Sequence, residues 1–117
     1  MRWTILFYEA FEAEFLALDQ SVQDAMLARF ELLARLGPEL GRPFCDTLKG
    51  SAHANMKELR CDADNGVWRI AFAFDPKRQA ILLTAGDKGG ANQKRFYKRL
   101  IKTADDRFDA HIEQMKG

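Results

Sequence analysis

Two different hydrophobic periods run along this chain, and the switches between them mark its elements. Trp3–Tyr8 is a short aromatic, β-favouring run and predicts a strand. From Glu9 to Leu18 the apolar positions Phe11, Phe15 and Leu18 recur at helical spacing. A second helix is expected to begin near Asp19 or Ser21, where S-V-Q-D resembles a capping box. Its stripe is Val22, Met26, Phe30, Leu33 and Leu36, and Gly37-Pro38 stops it. Together these form a helical hairpin whose apolar stripe is explained by packing alone.

Pro38–His53 reads as a connecting loop with Gly41, Pro43 and Gly50. Three strand candidates follow, at Asn55–Cys61, Val67–Asp75 and Ala80–Asp87. Asn65-Gly66 favours a tight turn between the first two, and D-P-K-R-Q marks a turn between the next two. An antiparallel meander is therefore expected. Period-two alternation places Trp68, Ile70, Phe72 and Phe74 on one side, assigned to the core together with Leu59 and Cys61. Arg69 falls on the other side among the small residues Ala71 and Ala73, a face expected to lie open and to carry Glu58 and Arg60. Cross-strand neighbours approach within about 5 Å at Cβ, so Glu58, Arg60 and Arg69 can cluster, although pattern alone does not fix the register. The last element is a long helix from about Asn92, with the stripe Phe96, Leu100, Ala104, Phe108 and Ile112. The order β-α-α-β-β-β-α predicts an α+β domain with helices on one sheet face.

At 117 residues the chain is expected to form one domain, spanning residues 1–117. A hydrophobic content of 47% with 30% charged residues is ordinary for a globular protein. No segment approaches the roughly 18 apolar residues a membrane span requires, which argues against a membrane partner and points to the cytoplasm. Cys45 and Cys61 have neither metal-ligand spacing nor the look of a disulfide framework, and read as buried thiols. Only His53 and His111 could supply imidazole. No metal or other cofactor is expected.

The distribution of charge is more telling than composition. Met1–Leu48 holds 4 basic and 8 acidic residues, a balance of −4, whereas Lys49–Lys102 holds 12 basic and 5 acidic, a balance of +7. The remaining tail has 2 basic and 4 acidic residues, so a net charge of +1 hides a strongly basic middle. Such segregation fits a surface that meets a polyanion, although Lys94–Lys102 would also serve as a solvated helix face.

Four segments carry a family resemblance: L-K-G-S-x-H-x-N-M-K-E-L-R, G-V-W-R-I-A-F-A-F-D-P-K-R, A-G-D-K and R-F-Y-K-R-L-I. In this order the chain resembles the HigB-like, phage-derived branch of the RelE/ParE toxin superfamily, most densely from Phe44 to Ile101. The resemblance implies a RelE-like fold and the toxin of a type II toxin–antitoxin pair. It implies metal-independent cleavage of mRNA, usually on the ribosome, and neutralisation by a HigA-like antitoxin with a helix-turn-helix domain. In that chemistry a ribose 2′-hydroxyl attacks the adjacent phosphate and a 5′-hydroxyl leaves. A base, an acid and cations to hold the phosphorane charge are needed.

By the resemblance, Arg69 is the arginine that binds phosphate in the transition state, and it alternatively pairs with Glu58 or an aspartate. Lys88, just past the last strand, stands where a second cation is placed, or is an ordinary loop lysine. Tyr97 would orient the nucleophile, stack on a base or relay a proton, or else packs half-buried beside Phe96. Glu58 is either the general base or a salt-bridge partner, because an adjacent arginine makes a carboxylate a weaker base. His53 is chemically eligible as acid or base, or is simply solvated. Arg60 and Lys57 are candidates for positioning phosphate, though parity separates their faces. Lys94, Arg95, Lys98 and Arg99 would contact RNA phosphates. A gyrase-poisoning toxin of ParE type and a catalytically silent binding module are the alternatives that the same fold allows.

Overall fold

The computed structural model describes residues 2–90 and 92–117. Strand β1 (Thr4–Phe7) leads into helices α1 (Glu9–Leu16) and α2 (Gln20–Leu36), then a single 3-10 turn at Gly37–Glu39. Strands β2 (Cys45–Thr47), β3 (Lys57–Ala63), β4 (Gly66–Phe74) and β5 (Gln79–Asp87) follow, and helix α3 (Gln93–Lys116) ends the chain. The five strands form one sheet in the order β1-β5-β4-β3-β2. β1 lies parallel to β5, while the pairs β2–β3, β3–β4 and β4–β5 are antiparallel. This is the α+β, RelE-like arrangement that the order of elements implies, with one strand added. β2 lies inside the stretch expected to be loop; at three residues it is too short to show alternation.

The helical hairpin covers one sheet face. Phe11, Phe15, Val22, Met26, Phe30 and Leu33 pack there against Leu59, Cys61, Ile70, Phe72 and Leu82. Phe7 anchors this layer, with ring centroids 5.7, 5.1 and 5.6 Å from Phe11, Phe15 and Phe30. Leu36, the last position of the α2 stripe, is 41% exposed. The capping box does not form: Asp19 is the N-cap and makes no side-chain cap bond, and the Ser21 hydroxyl instead donates to Asp64. Gly37 does end α2; its φ of +56° and the Trp3 indole seated against it leave no room for a side chain. Cys45 and Cys61 are buried free thiols, and burial raises both, Cys45 to about 11.

The second face is covered too, which corrects the expectation that it lies open and that the helices share one side. Helix α3 lays Leu100, Ala104 and Phe108 on Met56, Ala71, Ala73, Ile81 and Leu83. Ala71 and Ala73 are fully buried. They are small because a helix rests on them, a close approach that larger side chains would prevent. β4 is thus a central strand buried on both faces. The β3–β4 turn also differs by one residue from expectation. Ala63 pairs with Gly66, and Asp64 and Asn65 are the central residues, with φ of 51° and 63°. Paired positive φ values are the type I′ geometry that matches strand twist.

Candidate catalytic site beneath helix α3

Sheet register brings the candidate residues together. Arg60 on β3 lies directly opposite Arg69 on β4, Glu58 opposite Ala71, and Arg69 opposite Gly86 on β5. Glu58, Arg60 and Arg69 share the α3 face, because residues two apart on a strand, and directly paired residues, point the same way. Helix α3 starts just beyond β5, where the Asn92 side chain accepts a hydrogen bond from the Arg95 amide at 3.0 Å. One turn later Tyr97 reaches down to the sheet.

The centre is Glu58, which is 3% exposed. Its Oε1 accepts a hydrogen bond from the Tyr97 hydroxyl at 2.9 Å, and its Oε2 accepts from Arg60 Nη2 at 3.0 Å and Nε at 3.2 Å. Arg60 also reaches Asp46 Oδ2 at 3.3 Å, so β2 supplies a second carboxylate. Arg69 Nη1 donates to the Trp68 carbonyl at 3.0 Å. Its Nε lies 3.8 Å from Glu58 Oε1, beyond hydrogen-bond reach, and is buried without a partner among the described residues. A buried guanidinium N–H left unsatisfied is costly and is rare unless something else is meant to accept from it. The Lys88 ammonium stands 5.7 Å from the centroid of the Tyr97 ring.

These contacts set the protonation behaviour. Burial pushes the Tyr97 phenol up, and its hydrogen bond to the Glu58 carboxylate and that carboxylate's charge push it further. Tyr97 therefore stays protonated and can donate. Burial disfavours the charged Arg60, but its hydrogen bonds to Glu58 and the charges of Glu58 and Asp46 more than reverse this, leaving it above the ordinary arginine value.

Five of the eleven candidates, Glu58, Arg60, Arg69, Lys88 and Tyr97, thus meet in one place. Glu58 and Arg69 are buried there, not on the outward surface expected of them. His53 is elsewhere: its Nε2 lies 2.7 Å from Asp109 Oδ1, and its ring meets Phe108 edge-on at 4.9 Å. Asp109 is twelve residues along α3 from Tyr97, about 18 Å at the helical rise. Lys57 pairs across to Thr47 and Phe72 and, by parity, belongs to the hairpin face. The four cations of early α3 divide between two recesses. Lys94 and Lys98, with Lys49, Lys102 and Tyr97, line a groove of about 940 Å³. Arg95 and Arg99 line another, of about 550 Å³, with Gly86 and Phe96.

Four residues join the site that the sequence did not single out: Asp46, Arg29, Phe44 and Asp62. Asp46 comes from the unrecognised strand β2. Arg29 of α2 donates from Nε to the Arg60 carbonyl at 2.8 Å, and its guanidinium stacks over Phe44, 4.4 Å from the ring centroid. β2 pairs with β3 over Lys57–Leu59 and the Arg60 amide still donates to the Phe44 carbonyl at 2.8 Å; past Arg60, β3 is the sheet edge. There Arg29, Phe44, Arg60, Asp62 and Arg69 surround a cleft of about 310 Å³. The Glu58 cluster therefore lies between this cleft, through Arg60 and Arg69, and the α3 groove, through Tyr97.

The molecule is a small α+β fold with the buried carboxylate of Glu58 held among two arginines and a tyrosine. The family model "Phage derived protein Gp49-like (DUF891)" matches residues 13–109, and the chain belongs to that family. It is 45% identical over 100 residues to "Putative toxin HigB2" of Mycobacterium tuberculosis (strain ATCC 25618 / H37Rv), covering 85% of this chain and 49% of that protein, so it spans about half of that relative's length. It is also 45% identical over 106 residues to "Putative toxin HigB3" of the same strain, covering 91% of this chain and 90% of that protein. The HigB likeness read from the sequence motifs thus stands.

Proposed function

We propose that this protein is the toxin of a toxin–antitoxin pair, an endoribonuclease that cleaves mRNA held on the ribosome and is neutralised by a cognate antitoxin. The observation that carries the reading is the Tyr97–Glu58 hydrogen bond beside the unpartnered Nε of Arg69. The similarity to two proteins named as HigB toxins supports the toxin role.

A phosphate seated in the cleft that Arg60 and Arg69 line meets the Arg69 guanidinium, whose buried Nε has no other partner among the described residues. Arg60 joins it in holding the charge that grows on the phosphorane. Tyr97 takes the 2′-hydroxyl proton as it passes its own to Glu58 Oε1, so the phenol never becomes a free phenolate. The same hydrogen bond delivers the proton in two short transfers. Arg60 keeps Glu58 Oε2 occupied and so directs proton uptake to Oε1. Lys88, beside the Tyr97 ring, is the donor left for the departing 5′-oxygen. Lys49, Lys94 and Lys98 along the α3 groove guide the RNA backbone to Tyr97, an electrostatic contribution that weakens with salt. Lys102 is instead paired with Asp106, and the groove's wall further along α3 is acidic, with Asp105, Asp106 and Asp109.

The test is induced expression in bacteria of the parent and of Arg69→Ala, with mapping of new RNA 5′ ends. Cuts inside translated codons, present for the parent and lost by a normally folded Arg69→Ala, are the expected result. Growth arrest with DNA-damage signalling and no new ends moves the target to gyrase. Neither arrest nor cuts leaves a silent binding module.

A further inference from the structure

The cleft at the β3 edge is not needed for the proton transfers, yet its walls have the chemistry of a nucleotide site. Three guanidinium groups converge on it from three elements, Arg29 from α2, Arg60 from β3 and Arg69 from β4. Phe44 is a large apolar side chain left 37% exposed, and one face of its ring is already covered by the Arg29 guanidinium. That guanidinium is fixed in place by its bond to the Arg60 carbonyl, so its plane is a pre-ordered platform and not a mobile surface chain. Single-stranded RNA bases stack on such aromatic and guanidinium planes, and their hydrogen-bonding edges then meet neighbouring polar groups. Asp62, also in the wall, offers a carboxylate that accepts from a base N–H. At about 310 Å³ the cleft is of single-nucleotide scale and is too small for a folded partner.

The geometry points to a subsite for one RNA nucleotide adjoining the scissile phosphate. Its base stacks on the Arg29–Phe44 pair, and its phosphate lies against Arg60 and Arg69. The subsite deepens the RNA-cleaving reading and rests on it. Arg60 and Arg69 line both the cleft and the Glu58 cluster, so a nucleotide seated here is necessarily next to the reacting phosphate. Asp62 selects against a base edge that presents only acceptors. The subsite thereby gives the enzyme a base preference at one position beside the cut, read by residues that take no part in the proton transfers.

The experiment maps cut sites by RNA 5′ ends for the parent, Phe44→Leu, Arg29→Gln and Asp62→Asn, each first shown to melt near the parent's temperature. Phe44→Leu keeps apolar bulk over the sheet edge and removes the stacking plane together with its contact to the Arg29 guanidinium. Loss of one stacking contact corresponds to roughly a five- to hundredfold effect. Phe44→Leu and Arg29→Gln are accordingly expected to cut at least fivefold less often. The base preference of the parent at one nucleotide flanking the cut is expected to flatten. Asp62→Asn is expected to change which base is preferred there while cutting at a rate closer to the parent's. Cut frequencies and flanking preferences identical to the parent's in all three variants overturn the subsite and leave the RNA-cleaving function standing. A parent that makes no cuts overturns the function and the subsite with it.

Discussion

The Tyr97 hydroxyl donates to Glu58 Oε1 at 2.9 Å, tying the first turns of α3 to the middle of β3 across 39 positions of sequence. Without it, Glu58 Oε1 is left with Arg69 Nε at 3.8 Å, beyond hydrogen-bond reach. Tyr97→Phe removes the hydroxyl and leaves the ring in place against Phe96. Cleavage is expected to fall by about 10²-fold, the low end of the range for a positioned proton-transfer group. The melting temperature should move little, because one neutral hydrogen-bond donor contributes about 1 kcal/mol. Cleavage rates in a purified translation reaction, measured beside a thermal melt, check this. Undiminished cleavage would return Tyr97 to a packing role.

Glu58 is held by the same contacts for structural as well as chemical reasons. Glu58→Gln keeps the shape and the acceptor for Tyr97 but removes the charge that Arg60 and Arg69 face. A buried carboxylate beside guanidinium groups is destabilising to neutralise, and the partial exposure of the Arg60 side chain, 27%, tempers that effect through solvent screening. A loss of about 1–3 kcal/mol is expected, together with loss of growth arrest on induction. Calorimetry and a growth curve read the two effects separately. Full toxicity with unchanged stability would remove Glu58 from both roles.

Gly86 explains how α3 comes close enough for Tyr97 to reach the sheet. It lies opposite Arg69, and a Cβ placed on it would sit 2.9 Å from Phe96 Cε1 and 3.4 Å from Cζ. Gly86→Ala forces the Phe96 ring, and with it the start of α3, away from β5. Overpacking of this kind destabilises by about 1–3 kcal/mol. Growth arrest should weaken in parallel, and Phe96→Leu in the same chain should restore part of both. A Gly86→Ala protein that melts and arrests growth like the parent would mean that the Phe96 contact does not set the position of Tyr97.

Elements with a long local period are legible in the sequence. The hairpin of Phe11 to Leu33, the three-strand meander and the stripe of α3 all match the structure to within a few residues. Coverage of the second face is not legible. Alternation shows that Arg69, Ala71 and Ala73 share a side, but whether that side meets water depends on where a helix 30 residues later comes to rest. The grouping of Glu58, Arg60 and Arg69 follows from strand parity, whereas their burial follows from tertiary packing. Arg29 escapes notice for a further reason. Its partner is the backbone carbonyl of Arg60, an acceptor every residue carries, so no side-chain pattern encodes the contact. His53 misleads in the opposite direction: a histidine next to a motif is eligible by chemistry, but its loop folds toward Asp109 and Phe108.

The far end of α3 is fixed by a different buried carboxylate, and it makes stability depend on pH. Asp75 is 5% exposed at the β4–β5 turn. Its Oδ1 accepts from the Lys77 and Gln79 amides at 2.9 and 3.0 Å, and its Oδ2 lies 2.8 Å from His111 Nε2 and 2.9 Å from Gln79 Nε2. Burial pushes the Asp75 carboxyl up, but the hydrogen bonds from His111, Gln79 and Lys77 outweigh it and hold the group below its ordinary value of 3.8. A folded-state pKa below the unfolded one stabilises fully above the unfolded value, and the contribution is lost as pH falls through the folded value. Asp75→Asn should therefore lower stability by about 1–3 kcal/mol at pH 7, through the lost Oδ2 acceptor. Below the ordinary value of 3.8 the difference between the two proteins should narrow, as the parent's own carboxylate takes up its proton. Melting temperatures of both proteins between pH 7 and pH 3 measure the gap. A gap of constant size across that range would show that the charge of Asp75, as opposed to its shape, contributes nothing to anchoring α3.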